Sequence, residues 1–308
     1  MNTIPLAQNN PRQIERLGGQ RHLYSVAKRI LGVEVLLGAP VAIAWSILAI
    51  NFEPARGYAA FWGIMVSLCD VLWLNPWQKR LREKAAKVQE LFDCEVLQLR
   101  WNDIKVGNRP DPEVVAEHYA QYKKSTSRIS PLNNWYPPVV GNLPLEVARI
   151  VCQRSNCWWD SKQRRTYAAW VIAGVFFTLV VILGAGLVGG LTVERLFLAV
   201  VAPMAPAIVL AIRQYSEQME AASRLDKLKD HAERLWAAAF DHSEAQGLLE
   251  KARALQDEIY ENRKRSPLVF DWIFRRLRAD YESQMKHGAE KYAEEAQRKL
   301  GVLGNSFQ

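Results

Sequence analysis

Four long apolar segments constrain this chain of 308 residues more than any other feature of its sequence. The third segment, residues 167–191, has no charged residue, and neither has the fourth, 196–212. The first, 30–50, and the second, 57–76, carry one carboxylate each. A helix of about 20 apolar residues spans a hydrocarbon core, whereas soluble helices of that length have a polar face. The sequence therefore predicts four membrane-spanning helices; the alternative, a very hydrophobic soluble bundle, does not account for the uncharged third segment.

The basic residues are distributed unevenly around these segments, and this predicts the orientation of the chain. The sequence has 40 Lys and Arg against 32 Asp and Glu. Sixteen of the basic residues lie between the second and third segments and sixteen follow Tyr215, whereas the short turns at 51–56 and 192–195 contain one each. Because Lys and Arg accumulate on the cytoplasmic side, we expect both termini and the middle region to be cytoplasmic.

The predicted fold class is mainly α, with two transmembrane hairpins and a mostly helical domain built from the middle region and the C-terminal tail. Leu225, Leu228, Ala232 and Leu235 recur at helical spacing, which indicates a helical hairpin in the tail; a self-associating coiled coil is the alternative. Residues 94–101 are predicted to form a short strand. The expected regions are an N-terminal segment (1–29), the first hairpin (30–76), the middle region as ligand sensor (77–166), the second hairpin (167–214) and the tail (215–308).

Sequence motifs for catalysis or metal binding are absent. There is no P-loop, no HExxH and no GxSxG motif, and the five His are scattered over charged stretches, where we expect most of them to be solvated. Gly184, Gly186 and Gly189 match a dinucleotide fingerprint, but they lie inside an apolar segment, where small residues allow close helix packing. The sequence predicts a protein that is not an enzyme and that binds neither a metal nor a resident cofactor.

Three charged residues lie at or beside the ends of the apolar segments that face the predicted cytoplasmic side. Glu34 in the first segment and Asp70 in the second lie about 6–9 Å below that interface, given the 1.5 Å rise per helical residue, and Arg213 directly follows the fourth segment. Charges at this depth are costly and usually have a function. Two interpretations stay open: a polar gate in a conducting path, or contacts that hold the helix bundle together.

A mixture of aromatic, amide and basic residues in the middle region suggests a nucleotide ligand. Aromatic rings stack on bases, Arg and Lys neutralise phosphates, and Asn can bind an adenine edge. No long basic stripe is present, so a small nucleotide is favoured over DNA. The alternative is that the rings fill a small core or lie at the membrane interface. The candidate ligand residues are Trp101, Asn102, Lys105, Arg109, Arg128, Asn134, Trp135 and Tyr136.

Four short stretches carry a resemblance to a known family: GQRHLYSVAK at 19–28, NPWQK at 75–79, QELFDC at 89–94 and NWY at 134–136. Together with two hairpins that flank a middle region and precede a helical tail, they make the chain resemble the SMODS-associating four-transmembrane effectors. Members of this family accompany cGAS/DncV-like nucleotidyltransferases in the CBASS anti-phage operons of bacteria.

The resemblance implies a function. The partner nucleotidyltransferase would supply a cyclic di- or trinucleotide, and the effector would bind it, disrupt or permeabilise the inner (cell) membrane and kill the infected cell. Because four spans of one chain enclose no obvious polar lumen, we expect a homo-oligomer in the lipid bilayer. Two alternatives are a constitutive channel or transporter, and a membrane scaffold that recruits a soluble partner.

Overall fold

The computed structural model describes residues 2–125, 132–190, 192, 194, 202–241 and 246–305. These residues are almost entirely helical and contain no β-strand. The helices in chain order are α1 (Ile4–Ala7), α2 (Pro11–Gly38), α3 (Pro40–Asn51), α4 (Ala55–Cys69), α5 (Asn75–Val96), α6 (Asp103–Val106), α7 (Pro112–Ser125), α8 (Leu145–Val188), α9 (Ala202–Ala238), α10 (Leu248–Arg265) and α11 (Asp271–Asn305). A π-helical turn, Asp70–Leu74, joins α4 to α5, and a 3₁₀ turn, Pro138–Asn142, precedes α8.

The short strand predicted for residues 94–101 is wrong. Helix α5 continues to Val96, because Phe92 and Val96, one helical turn apart, are both fully buried in the core. The helix has ended before Gln98, which takes a left-handed conformation with φ 53°. A short apolar run is compatible with either a strand or a buried helix face, and here the packing of the helix face decides.

Three helical stretches are long and apolar enough to cross a membrane: Pro11–Ala49, Gly57–Val96 and Leu145–Val181. They overlap the first three apolar segments. Large side chains such as Phe176 and Phe177 are mostly exposed on the third stretch, as a lipid-facing surface requires. Residues 196–201 of the predicted fourth span lie outside the described residues, and residues 202–212 form the start of α9. These features are those of a mainly helical membrane protein.

Long helices connect the apolar segments with the rest of the chain. Helix α8 runs for 44 residues, which at 1.5 Å per residue is about 66 Å and exceeds the thickness of a bilayer. Helix α2 likewise starts well before its apolar segment and ends where Pro40 begins the next helix, since proline lacks the N–H that the helix ladder needs. A displacement at the polar end of α8 therefore reaches its apolar end through one element.

The main hydrophobic core lies outside the apolar segments. It combines residues from the N-terminus, the middle region and the tail, among them Ile4, Phe92, Tyr136, Cys152 and Leu255. Helix α10 packs against α5, α8 and α9, so the tail and the middle region share one core. We call the helices and half-helices outside the apolar segments the polar domain.

Candidate functional site: a basic cavity in the polar domain

A cavity of about 430 Å³ lies in the polar domain, within the ~300–1,000 Å³ range that is usual for small-molecule sites. Six basic residues against two carboxylates, Asp160 and Asp271, line it. This balance favours an anionic ligand. The basic residues are Arg21, Lys28, Arg164, Arg263, Arg275 and Arg278.

One face of α2 forms a wall of this cavity. Gln20, Tyr24 and Lys28 follow each other at intervals of four residues, and Arg21 and Ser25 lie beside them. All five belong to the first of the four stretches that carry the family resemblance. They are not among the ligand residues predicted from the sequence, although their four-residue spacing is the signal that would have put them on a single helix face.

Aromatic rings surround a cation within the cavity. The Arg21 guanidinium is 5.8 Å from the ring centroid of Trp135 and 5.8 Å from that of Phe274, within the reach of cation–π attraction. Trp159 adjoins Phe274, with the two ring centroids 6.3 Å apart. Flat rings beside a guanidinium suit a ligand that carries both planar bases and phosphates.

Three residues that line the cavity each have a buried polar atom with neither a hydrogen bond nor an ion pair among the described residues: Gln20 Oε1, Trp135 Nε1 and Asn262 Nδ2. Gln20 and Asn262 are each only 3% exposed. The other end of the Asn262 amide accepts from Arg224 Nε over 3.0 Å, which fixes its orientation. Each unsatisfied buried group costs about 1–3 kcal/mol, so a bound molecule with a donor for Gln20 and acceptors for Trp135 and Asn262 would recover this energy.

A buried charge network lies behind the cavity and holds Arg263. The fully buried carboxylates Asp93 and Glu90 pair with Arg263 at 2.9 Å and with Arg253 at 2.6 Å. The Tyr136 hydroxyl donates to Asp93 over 2.7 Å, and burial together with this carboxylate raises the pKa of Tyr136 well above its ordinary value. Burial alone would lower the pKa of Arg263, but the Asp93 carboxylate raises it overall, so a cation persists at the cavity wall.

Four of the eight predicted ligand residues lie in α6 and the segments on either side of it, and none of them lines the cavity. Trp101 Nε1 donates to the Gly107 carbonyl over 2.8 Å, and the Arg109 guanidinium is 5.8 Å from the Trp101 ring centroid. Gly107 has φ 75°, a left-handed conformation that glycine adopts without strain, and it closes the turn around the indole. The four residues are Trp101, Asn102, Lys105 and Arg109.

Asn102 and Lys105 also have partners within the fold. Asn102 Oδ1 caps α6 by accepting from the N–H groups of Ile104 at 3.2 Å and Lys105 at 3.3 Å. Its Nδ2 donates to Asp257 on α10 over 2.8 Å. Lys105 Nζ forms an ion pair of 3.4 Å with Glu258. These residues cap a helix and join it to the tail.

The remaining predicted residues divide between the core, the surface and the cavity, and Arg128 lies outside the described residues. Asn134 exchanges two hydrogen bonds with Asn9, of 2.8 and 2.9 Å. Tyr136 is 1% exposed, so its ring fills the core, as the alternative interpretation expected for such rings. Of the predicted residues that the structure describes, Trp135 is the one that lines the cavity.

The three charged residues of the apolar segments contact one another. Arg213 donates to Glu34 over 2.5 Å and to Asp70 over 2.7 Å, and Gln78 Nε2 donates to the second Glu34 oxygen over 2.9 Å. We call Glu34, Asp70, Gln78 and Arg213 the membrane cluster. Asp70 begins the π-helical turn, a distortion that is frequent at functional sites. The cluster ties α2, the π-helical turn, α5 and α9 together.

The expectation that most of the five His are solvated does not extend to His22 and His118, which contact each other. Their Nδ1 atoms are 2.9 Å apart and their ring centroids 5.1 Å apart, so they join α2 to α7. Burial lowers the pKa of His118 below its ordinary value of 6.5, because a charged imidazolium loses hydration there.

In the part of the chain that the structure describes, no group of three or more His, Cys, Asp or Glu is placed to hold a metal ion.

Comparison with known proteins identifies the family. The model of the SMODS-associating 4TM effector domain matches residues 2–292. A probable CBASS effector molecule of Bacillus cereus (strain VD146) is 24% identical over 275 residues, which cover 87% of this chain and 90% of that protein. No solved structure matches. The basic cavity and the membrane cluster therefore lie in a protein that belongs to the SMODS-associating 4TM effector family.

Proposed function

We propose that this protein is an anti-phage effector that binds a cyclic di- or trinucleotide in the basic cavity and, in response, permeabilises the membrane. Membership of the SMODS-associating 4TM effector family and the similarity to a probable CBASS effector molecule support this role. The observation that carries the ligand assignment is the cavity itself, which combines excess positive charge with three unpartnered buried polar atoms. A cyclic oligonucleotide carries phosphates that match the positive charge, flat bases that match the aromatic rings, and edge groups that can pair with the unpartnered polar atoms.

Each part of such a ligand has a counterpart in the cavity. Arg21 and Arg263 supply guanidinium groups for phosphodiesters, which Arg binds with two parallel hydrogen bonds. Trp135 and Trp159 offer ring faces for bases, at about 1–3 kcal/mol for each stack. Gln20 supplies an acceptor for a base edge. The ligand is a signal in this proposal, and the chain performs no catalytic step on it and needs no cofactor or metal.

A direct connection leads from the cavity to the membrane cluster. Arg164, on the cavity wall, donates to Gln218 of α9 and to the Pro267 carbonyl, over 2.8 Å in each case. The same helix carries Arg213, which holds Glu34. A ligand shifts an equilibrium only as far as it binds one state better than the other. We propose that the nucleotide favours a position of α9 in which Arg213 and its carboxylates separate.

We propose that the protein forms a homo-oligomer and that the pathway through the membrane lies between its copies. In this arrangement the protein spans the inner membrane with both termini in the cytoplasm, where the product of a cGAS/DncV-like nucleotidyltransferase reaches the cavity. Sixteen Lys and Arg lie in the middle region and sixteen follow Tyr215, whereas the two short turns contain one each. This distribution supports the orientation, because Lys and Arg accumulate on the cytoplasmic side. The protein has no role in DNA binding in this proposal.

The test is dye release from liposomes that contain the full-length protein, with and without a panel of cyclic di- and trinucleotides. One nucleotide should trigger release and bind the protein. Arg21→Gln should weaken this response about tenfold, which is a change of 1.4 kcal/mol. Arg29→Gln is the matched control, since Arg29 is an exposed cation of the same helix that does not line the cavity.

The other outcomes would replace the proposal. Release that is equal with and without nucleotide would show a constitutive channel or transporter. Nucleotide binding without any release, by a correctly inserted protein, would favour a scaffold that recruits a soluble partner. A response that Arg21→Gln and Arg29→Gln reduce equally would place the nucleotide outside this cavity.

A further inference from the structure

A second cavity, of about 480 Å³, lies where α5, α9 and the end of α10 meet. Its wall towards the apolar segments includes Gln78 and Arg213 of the membrane cluster. Trp73 and Trp77, beside this wall on α5 and the turn before it, are 61% and 56% exposed. Exposed Trp is typical of the boundary between hydrocarbon and headgroups. The second cavity therefore lies at the level of the lipid headgroups.

Two cations in this cavity are not held in a close ion pair, although the Glu217 carboxylate, which also lines the cavity, acts on Arg82 at longer range. Six basic residues and three Glu line it. Lys264 pairs with Glu83 at 3.3 Å, and Arg213, Arg224 and Arg265 also form ion pairs. Lys79 and Arg82, by contrast, form no ion pair with any residue that the structure describes. They are three residues apart on α5 and so lie on the same face, where together they can bind one phosphate.

A third observation defines the rest of the ligand. Gln214 lines the cavity, is 8% exposed, and its Oε1 is buried without a donor among the described residues. The occupant must therefore offer a hydrogen-bond donor as well as an anion. None of the described lining residues is aromatic, so the bases of a nucleotide would find no ring on which to stack.

We propose that the second cavity is a binding site for an anionic glycerophospholipid whose headgroup carries a hydroxyl, with phosphatidylglycerol as the representative. Lys79 and Arg82 bind its phosphodiester, and the headgroup hydroxyl donates to Gln214. Basic pockets between membrane helices are a usual place for anionic headgroups. Because Gln78 and Arg213 share the wall, the lipid contacts the membrane cluster directly. This site does not depend on nucleotide binding in the basic cavity.

The test uses the full-length protein in detergent, titrated with short-chain phosphatidylglycerol, short-chain phosphatidylcholine or inorganic phosphate, with bound lipid counted by native mass spectrometry. The double variant Lys79→Gln and Arg82→Gln should bind phosphatidylglycerol at least about tenfold more weakly. The matched control is Arg80→Gln with Lys84→Gln, which removes two exposed cations of the same helix that do not line the cavity. The control should bind as the wild type does.

Arg82 Nε also donates to the Lys264 carbonyl over 2.9 Å, so Lys79→Gln alone is a second variant that leaves this bond intact. It should lower affinity for phosphatidylglycerol several-fold. Phosphatidylcholine and phosphate should bind more weakly than phosphatidylglycerol to the wild type and to the control. Unchanged lipid affinity in both test variants, or phosphate binding as tight as that of the lipid, would overturn the proposal. So would loss of cyclic nucleotide binding in these variants with retention in Arg21→Gln, since the nucleotide would then occupy this cavity.

Discussion

The segment around α6 and the basic cavity contain the same kinds of residue, yet they differ in what is left for a ligand. Around α6, Trp101, Asn102 and Lys105 each have a partner within the fold. In the cavity, Gln20 and Asn262 are just as buried as core residues but have polar atoms with no partner. The comparison teaches that the residue composition of a segment indicates which kind of ligand it could bind. Buried polar atoms without a hydrogen-bond partner indicate where a ligand can bind.

The largest effect on nucleotide affinity is expected for a substitution in the cavity. Trp135→Ala should weaken binding of the cyclic nucleotide about tenfold to a hundredfold, because one base–aromatic stack contributes about 1–3 kcal/mol. Trp135→Phe keeps a ring face and should retain most of the affinity. Calorimetric titration measures both variants. Equal losses for Ala and Phe would contradict a stacking role.

The next effect separates a ligand site from an ordinary core position. Asn262→Asp replaces the unpartnered Nδ2 by an oxygen and strengthens the bond from Arg224, since a charged acceptor binds more strongly. We expect a higher melting temperature without ligand together with about tenfold weaker nucleotide binding, as the new carboxylate repels phosphate. Thermal unfolding and titration of the same preparation measure the two quantities. A variant that is less stable and binds normally would remove Asn262 from the site.

A smaller effect should appear at α6, and in stability rather than affinity. Asn102→Ala removes the N-cap of this helix and the bond to Asp257. The free energy of unfolding should fall by about 1 kcal/mol, with no change in nucleotide affinity. Chemical denaturation in detergent, paired with titration, would show this. If the variant kept its full stability but bound the nucleotide more weakly, the segment around α6 would belong to the ligand site.

The smallest effect is expected for Lys105→Gln. Its ion pair with Glu258 is largely exposed, and such pairs contribute only about 0–1 kcal/mol. Stability and nucleotide affinity should both stay close to those of the wild type. The small differences between the variant and the wild type should not depend on the salt concentration. If Lys105 neutralised a phosphate, the variant would instead lose affinity, and the loss would shrink as the salt concentration rises.

The helices themselves could largely be predicted from the sequence. Asp111 and Pro112 mark the start of α7, and Pro144 directly precedes α8, because capping and proline geometry act over a few neighbouring residues. The similar depth of Glu34 and Arg213, which form an ion pair, could also be predicted, since the rise per helical residue converts sequence position into depth in a membrane.

The basic cavity could not be predicted in the same way. Its residues extend from Gln20 to Arg278 and come from seven helices and the segments between them. No local spacing relates Trp135 to Phe274, and the two meet Arg21 only because the tail folds onto the middle region. Which polar atoms remain without a partner depends on this packing, so it cannot be seen in the composition.

The most direct test of the account is nucleotide-triggered dye release from liposomes that contain Trp135→Ala or Trp101→Ala, measured side by side with the wild type. The two variants remove the same side chain from the two regions, and circular dichroism checks that both remain folded. The account predicts that Trp135→Ala needs at least about tenfold more nucleotide, while Trp101→Ala responds like the wild type. A normal response of Trp135→Ala with a weakened one of Trp101→Ala would contradict it.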